Sequence, residues 1–544
     1  MNKKPIRFPK SLSKILARLR LYEDMFALSR DLEAEYAGIA EKHGPVPAVL
    51  WALWQTLLSA LYYFRLTAQW RSIMLKNYVK VAIRNLRRHK FFSLINISGL
   101  AVGMTACLLM LMFVVSEVSY DNFHTHLDRI FRITAEWGEA GNTRRFAASV
   151  PGAVPALQTE VPGIDAAARL RNVPAAMITD AQGRALREEN VYYADPGILE
   201  IFSWDLIRGD KRTALAEPFT VVLSRKIAAK YFGTEEAVGK TLLLKENPYR
   251  ITGILEDLPP NTHLNGEILV SYATAIALGD YPEKPWEVWG DDYGYILLNE
   301  RASVEDIQHR LNGLLETNAD PWFSRKMSLS LQPLAEIHWD NLSRGDVGPK
   351  GSRLYVFLFL SASILVLVIA CINFMNLSSS RFMDRMKEVG VRKVVGADRK
   401  QLVHQFLVES TMISLIAALL GMYLFSLLNR GVYSLLDLEV VFGSTHFLYL
   451  YGIVFLLVIS VGILAGAYPA LFLSRFRPVD ILKRGGPGTR QRSSFRQVLV
   501  VAQFGISILL ILGTVTIRQQ IDFMKNSDLG FEKDGVVLIQ LGYG

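Results

Sequence analysis

Cysteine is nearly missing from this sequence. The 544 residues hold two, Cys107 and Cys371, and both sit inside long apolar runs, so the polar stretch between those runs carries no thiol. A structural disulfide there is excluded, as is a metal site built on paired cysteines. No phosphate-binding loop is found either. The nearest match, Gly233 to Gly239 followed by Lys240 and Thr241, has one residue too many between its glycines and reads as a turn feeding a strand at Thr241–Leu244. No nucleophile and base stand at a recognisable spacing, which sets aside a membrane-bound hydrolase. Met1–Lys14 is basic and contains proline, but no apolar stretch with a cleavage site follows, so no signal peptide is expected.

What the sequence has in excess is hydrophobicity, at 51% of residues. It is concentrated in runs long enough to cross a hydrocarbon core, for which a helix needs roughly 20 apolar residues. Spans are expected at Phe92–Val115, Leu354–Leu377, Phe406–Leu428, Phe447–Leu473 and Val498–Ile517. The net charge of +9 could suggest a nucleic-acid partner, but the basic residues flank the spans instead of covering a soluble domain. Arg71, Lys76, Lys80, Arg84, Arg87 and Arg88 precede the first span with no acidic residue among them; further clusters follow the second span (Arg381 to Lys400) and the fourth (Arg475 to Arg492). Lys and Arg in short loops stay cytoplasmic, so 381–400 and 475–496 are expected inside and 119–352 outside.

The expected fold class is thus an α-helical membrane protein with an inserted extracytoplasmic α/β (α+β) domain and a helical N-terminal domain. Seven segments follow: 1–75, helical and cytoplasmic or interfacial; 76–118, an amphipathic helix and the first span; 119–352, the outside domain; 353–474, spans two to four; 475–496, a linker; 497–517, the fifth span; and 518–544, the start of a second outside domain. In the outside domain, strand-like runs occur at Phe131–Thr134, Phe219–Leu223, Tyr249–Ile254 and Glu267–Val270, with helices at Ser224–Tyr231 and at Val304–Glu316 behind Ser303. Val46–Phe64 is apolar and aromatic but interrupted by Gln55, Thr56 and Ser59, which suits an interfacial or packed amphipathic helix; an extra span is the alternative. After Lys483–Ser494 the order of basic segment, span, polar helix (Gln519–Asp528) and strand (Val536–Leu541) repeats that of the first half, so the reading frame is expected to continue into a second outside domain and further spans.

Several segments carry a family resemblance. They are Arg84-Asn85-Leu86-Arg87-Arg88, Tyr120-Asp121-Asn122-Phe123-His124, Lys230-Tyr231-Phe232-Gly233 with Gly239-Lys240-Thr241, the run Met386 to Ala397, and Ala467-Tyr468-Pro469-Ala470 followed by Arg477-Pro478-Val479-Asp480-Ile481-Leu482. In this order and topology they resemble the MacB/FtsX-type ABC transporter permeases in their long two-half form, from about Lys76 onward. Residues 1–75 resemble the N-terminal prefix domain of some members. The resemblance implies a MacB-like periplasmic core at 119–352, an FtsX-like permease region at 353–474, a multi-pass location in a bacterial inner membrane, and ATP bound by a cytoplasmic ABC ATPase partner. It also implies assembly around two membrane halves or as a dimer, with an adaptor or outer-membrane channel as further candidate partners. No cofactor or metal of the chain's own is expected.

The resemblance assigns ATPase coupling to a cytoplasmic helix at 384–396 that carries Arg385, Met386, Glu388, Val389, Gly390, Arg392, Lys393, Val394 and Gly396. Its valines, with Val391 and Val395, give apolar surface; Glu388 and Arg392 stand one turn apart; Gly396 can close the helix; and Asp398 with Gln401 can open the next. A basic helix lying on anionic lipid is the alternative. Glu409, just inside the third span, is either a functional contact in the bundle or an interfacial residue paired with a base such as Arg399 or Lys400. Asn373 and Asn376 are expected to join helices. Of His124, His126, His263 and His338 only the first two are close in sequence, and surface or capping roles are expected for all four. Two functions share these motifs: a permease driven by a partner ATPase, for export, efflux or mechanotransmission, and a signalling subunit that regulates a cell-envelope partner without transport.

Overall fold

The computed structural model describes residues 24–139, 141–173, 176–179, 183, 185–234, 236–288, 292–380, 382–435, 444–473 and 489–527. The expected strand Val536–Leu541, the motif at 477–482 and most of the linker lie outside these residues. The chain falls into two compact units, one of Met1–Gly99, Asn373–Ala417 and Val458–Phe495, the other of Leu100–Ile372, Ala418–Leu457 and Arg496–Gly544.

The first unit opens with helices α1 (Asp24–His43) and α2 (Pro45–Arg88). Gly44, at φ 86°, turns the chain between them, and Pro45 starts α2 where a missing N–H costs nothing. Tyr36 and Ala40 pack on Ala48 and Ala52, small residues that let the two helices close up. From Ala48 to Arg88 there is no Gly or Pro, so nothing breaks the helix: α2 runs unbroken for 44 residues through the boundary expected at 75/76.

All five expected spans are helices, and they are the five among the described residues long and apolar enough to cross a membrane. The apolar part of α2, Pro45–Leu58, falls short of that length. The first span is α3 (Lys90–Val118). In the outside domain that follows, α4 (Arg225–Phe232) and α5 (Val304–Asn318) have the expected serine caps, Ser224 accepting from Ile227 N–H and Ser303 from Asp306 N–H. The second span is α6 (Arg353–Ser380), the cytoplasmic helix is α7 (Phe382–Val394), and α8 (Arg399–Leu435), α9 (Ser444–Leu473) and α10 (Thr489–Asn526) carry the remaining spans.

Lipid gives apolar side chains no reason to associate, so helices there pack where small residues admit a neighbour's backbone. In the first unit, Gly462 and Gly466 of α9 face Thr411 and Ser410 of α8; a Cβ at Gly466 would lie 2.6 Å from the Ser410 hydroxyl. In the second, a Cβ at Gly103 of α3 would lie 2.8 Å from the Ala370 methyl of α6, and the Thr105 hydroxyl donates to the Gly421 carbonyl of α8 at 3.2 Å. The apolar stretch of α10 is buried against nothing among the described residues.

The outside domain is built on one mixed sheet. Its main strands are β1 (Ile130–Glu139), β2 (Ile164–Asn172), β3 (Val191–Ala194), β4 (Thr220–Ser224), β5 (Asn247–Leu255), β6 (Ile268–Ser271), β7 (Asp292–Leu298) and β8 (Met327–Pro333). They lie in the order β8-β1-β7-β2-β3-β6-β4-β5, and shorter strands extend the far edge. β1 and β8 are antiparallel neighbours, with Phe131 opposite Pro333. The strand reached from the first span therefore lies beside the strand that leads back to the second. Gly239-Lys240-Thr241 enters strand Thr241–Leu244 and not a helix, so no helix N-terminus stands there to meet a phosphate.

Replacing Gly466 with Leu should force α8 and α9 apart and lower the melting temperature of the detergent-solubilised chain, since overpacking costs about 1–3 kcal/mol. Gly452, which has open space around it on α9, is the control. Equal melting of Gly466→Leu and Gly452→Leu would show that this contact does not hold the helices.

Candidate functional site

The cytoplasmic helix α7 covers 382–394, two residues earlier at each end than expected. Gly396 takes φ 99°, and the Ala397 N–H reaches back to the Arg392 carbonyl at 2.9 Å, the bond of a glycine-closed helix end. The Gln401 side chain accepts from the Asp398 N–H at 3.2 Å, so the next helix opens with one arm of the expected capping box. Glu388 and Arg392 pair at 2.6 Å, and Arg392 also donates to Gln405 of α8.

The valines are not equivalent. Val389 is 2% exposed and packs on Leu402 and Phe406 of α8, whereas Val391, Val394 and Val395 are 65%, 70% and 83% exposed. The expectation that Val389 shares one apolar surface with the others is therefore corrected. At helical spacing, 391, 394 and 395 fall on one face and 389 on the opposite one. Gly390 is buried, Lys393 is half-buried, and the side chains of Arg385 and Met386 lie outside the described set. Glu409 is buried in α8, directly before Ser410 at the α9 contact.

Outside the membrane the structure assembles a second site that no sequence spacing announced. The residues just after the first span and those just before the second are held by one buried polar chain. Asp121, in a left-handed conformation at φ 57°, accepts from the Thr262 hydroxyl at 2.8 Å, from the His263 N–H at 3.1 Å and from His263 Nδ1 at 3.1 Å. With Nδ1 protonated toward the carboxylate, His263 Nε2 accepts from the Tyr295 hydroxyl at 3.0 Å. The Tyr295 oxygen in turn hydrogen-bonds the Arg132 guanidinium. Arg132, with no exposed side-chain surface, grips Asp346 through two bonds of 2.8 Å and also donates to Gln332. Asp346 is shared with Lys350, and the Tyr293 hydroxyl donates to the Gly345 carbonyl.

A shorter link runs beside this chain. His338 places Nδ1 3.1 Å from the Pro349 carbonyl and Nε2 3.1 Å from the carboxylate of Glu117, the last acidic residue of α3. Tyr120 stacks on the imidazole at 3.6 Å. Gly351 passes so close that a Cβ there would sit 2.2 Å from His338 Nε2.

Surface or capping roles were expected for the histidines, yet His124, His263 and His338 are buried. Their partners are up to 221 residues away in sequence, and each becomes a neighbour only once the sheet has formed. His126 is exposed, bonded to Arg129. No group that could hold a metal ion occurs among the described residues.

The protonation states follow from this packing. Burial raises the Asp346 carboxyl, but the Arg132 hydrogen bonds and charge, with Lys350, outweigh it and bring it down to about 2. Asp121 is likewise held below the usual carboxylate range: burial opposes ionisation, and His263 and Thr262 outweigh burial. His124 goes the other way. Burial lowers it to about 4 against the pull of Asp121, so it is neutral, its Nδ1 accepting the Ser203 N–H.

Comparison with known proteins assigns both regions. The family profile of the MacB-like periplasmic core domain matches residues 93–314, and that of the FtsX-like permease C-terminal region matches 360–478. This chain belongs to the MacB/FtsX-type ABC transporter permeases. It is 28% identical over 270 residues to the macrolide export ATP-binding/permease protein MacB of Pasteurella multocida, covering 48% of this chain and 37% of that one. The protein of the same name from Hahella chejuensis is 23% identical over 432 residues, 74% of this chain and 60% of that one. The crystal structure of the periplasmic region of MacB from Actinobacillus actinomycetemcomitans is 13% identical, with TM-score 0.29, over 38% of this chain and 90% of that one. The chain thus spans between about a third and three fifths of the length of the curated relatives it matches. As a member of this family it is a multi-pass inner-membrane permease with a MacB-like periplasmic core.

The shifts give this permease two separate acid steps. A neutral buried His124 is stabilising above its free value of 6.5, and that contribution is lost as pH falls toward about 4. The Asp346 contribution is present above 3.8 and is lost as pH falls toward about 2. At roughly 1.4 kcal/mol per pH unit these amount to about 3 and about 2 kcal/mol. Melts of the solubilised chain followed by circular dichroism should show both slopes. His124→Asn should flatten the first and Asp346→Asn the second; unchanged slopes in these variants would contradict the network.

Proposed function

We propose that this permease couples ATP hydrolysis in a separate cytoplasmic ATPase to movement of its periplasmic core, serving export, efflux or mechanotransmission of an envelope substrate. The reading rests on the division of labour within α7. Its inner face is fixed to α8 by Val389 on Leu402 and Phe406 and by Arg392 on Gln405, while Val391, Val394 and Val395 stay uncovered. An exposed apolar face bordered by charge fits a docking surface. A helix capped at its end and clamped to a span passes on a push without bending. Glu409 lies further along α8, in the segment that meets α9, where a buried carboxylate is costly enough to serve the stroke.

Co-purification with the cytoplasmic ATPase tests this. A triple substitution of Val391, Val394 and Val395 by Asp should abolish stimulation of that ATPase and leave the melting temperature unchanged, whereas Val389→Asp should lower the melting temperature because it places a charge in the clamp. Full stimulation in the triple variant would refute coupling through α7 and favour a helix that merely lies on lipid.

A further inference from the structure

Between the end of the first span and the sheet, the periplasmic core holds a partly enclosed cavity of about 360 Å³, near the lower end of the usual size range for small-ligand pockets. Its lining is split almost evenly between polar and apolar surface. The charged groups in its wall are already committed. Glu117 is bound to His338, and Lys350 to Asp346 and the Ile337 carbonyl. Four of the neutral polar groups are not. Tyr120, Asn190, Tyr192 and Asn265 line the cavity, and their side chains make no hydrogen bond with the described residues. Tyr192 is 5% exposed as a residue, and its hydroxyl, on the cavity wall, has no hydrogen-bond partner among the described residues. A wall group that faces water in the empty cavity can exchange that water for a ligand's hydrogen bond, a net gain of roughly 0.5–1.5 kcal/mol each.

We infer that this cavity is a binding site for a neutral, sugar-sized unit bearing hydroxyl and amide groups. Phenol hydroxyls and carboxamides both donate and accept, as sugar hydroxyls do, and the apolar half of the lining suits the C–H faces of a pyranose. No uncommitted charge is present to select an anion or a cation. The site also has a consequence for signalling. Its wall includes Glu117 of the first span and His338 and Pro349 of the segment leading to the second, so an occupant touches both chain crossings at once. This goes beyond the coupling reading and does not depend on it, because binding is measured without the ATPase.

The full chain in nanodiscs would be titrated with N-acetylglucosamine by calorimetry and saturation-transfer NMR. Glucosamine, glucuronate and the neutral peptide N-acetyl-alanyl-alaninamide would be run in parallel. Saturable binding of N-acetylglucosamine is expected, with weaker binding of the other three. Tyr192→Phe removes one oxygen from a buried ring and should weaken binding roughly fivefold with an unchanged melt. Asn265→Trp, at an exposed rim position, should block the cavity. No saturable sugar binding, a preference for the peptide or a charged probe, or binding that both variants leave intact would each overturn the proposal.

Discussion

The architecture outside the membrane depends on one buried charge. Arg132 stands on β1 with no exposed side-chain surface, and an unpaired guanidinium there would be untenable. Its neutralisation by Asp346 draws the segment preceding the second span onto the strand that follows the first. Removing one partner of such a pair costs about 3–5 kcal/mol, more than most apolar contacts at a surface joint supply. The pairing of β1 with β8 sets the two crossings side by side, and the Tyr295 hydroxyl joins the Arg132 end to the His263–Asp121 end. Both chain crossings are thereby tied to the same part of the sheet.

The membrane helices solve a different problem with different residues. With no hydrophobic gain available between helices in lipid, the contacts rely on Gly103 against Ala370, Gly466 against Ser410, and Thr105 on the Gly421 carbonyl. These contacts are close and nearly uncharged. At the cytoplasmic end, α7 keeps one valine inward for attachment and three outward.

Much of this was legible in the sequence. Spans are visible because lipid demands long apolar runs, and orientation because Lys and Arg stay inside. The serine caps, the Gly396 stop and the Glu388–Arg392 pair could be read because their partners are within a few residues. The inward placement of Val389 was not, since which valine faces α8 depends on helical phase relative to a neighbour that begins five residues after α7 ends. The joint was less legible still. Asp121 and His263 are 142 residues apart, Arg132 and Asp346 214 apart, and neither pair has a spacing that a linear pattern could flag. Isolated histidines in a polar region look like surface residues until the fold surrounds them.

The central claim is that the residues flanking both crossings belong to the core of the periplasmic domain and are not hinges beside it. Native-state hydrogen exchange on the full chain in nanodiscs tests this directly. The Asp121 amide donates to the Asn261 carbonyl at 2.9 Å and the Gly351 amide to the His338 carbonyl at 2.8 Å. Both are predicted to exchange only with the opening that releases the centre of β1, and to become fast together in Arg132→Met. Exchange of either amide orders of magnitude faster than β1 in the unmodified chain would contradict the account.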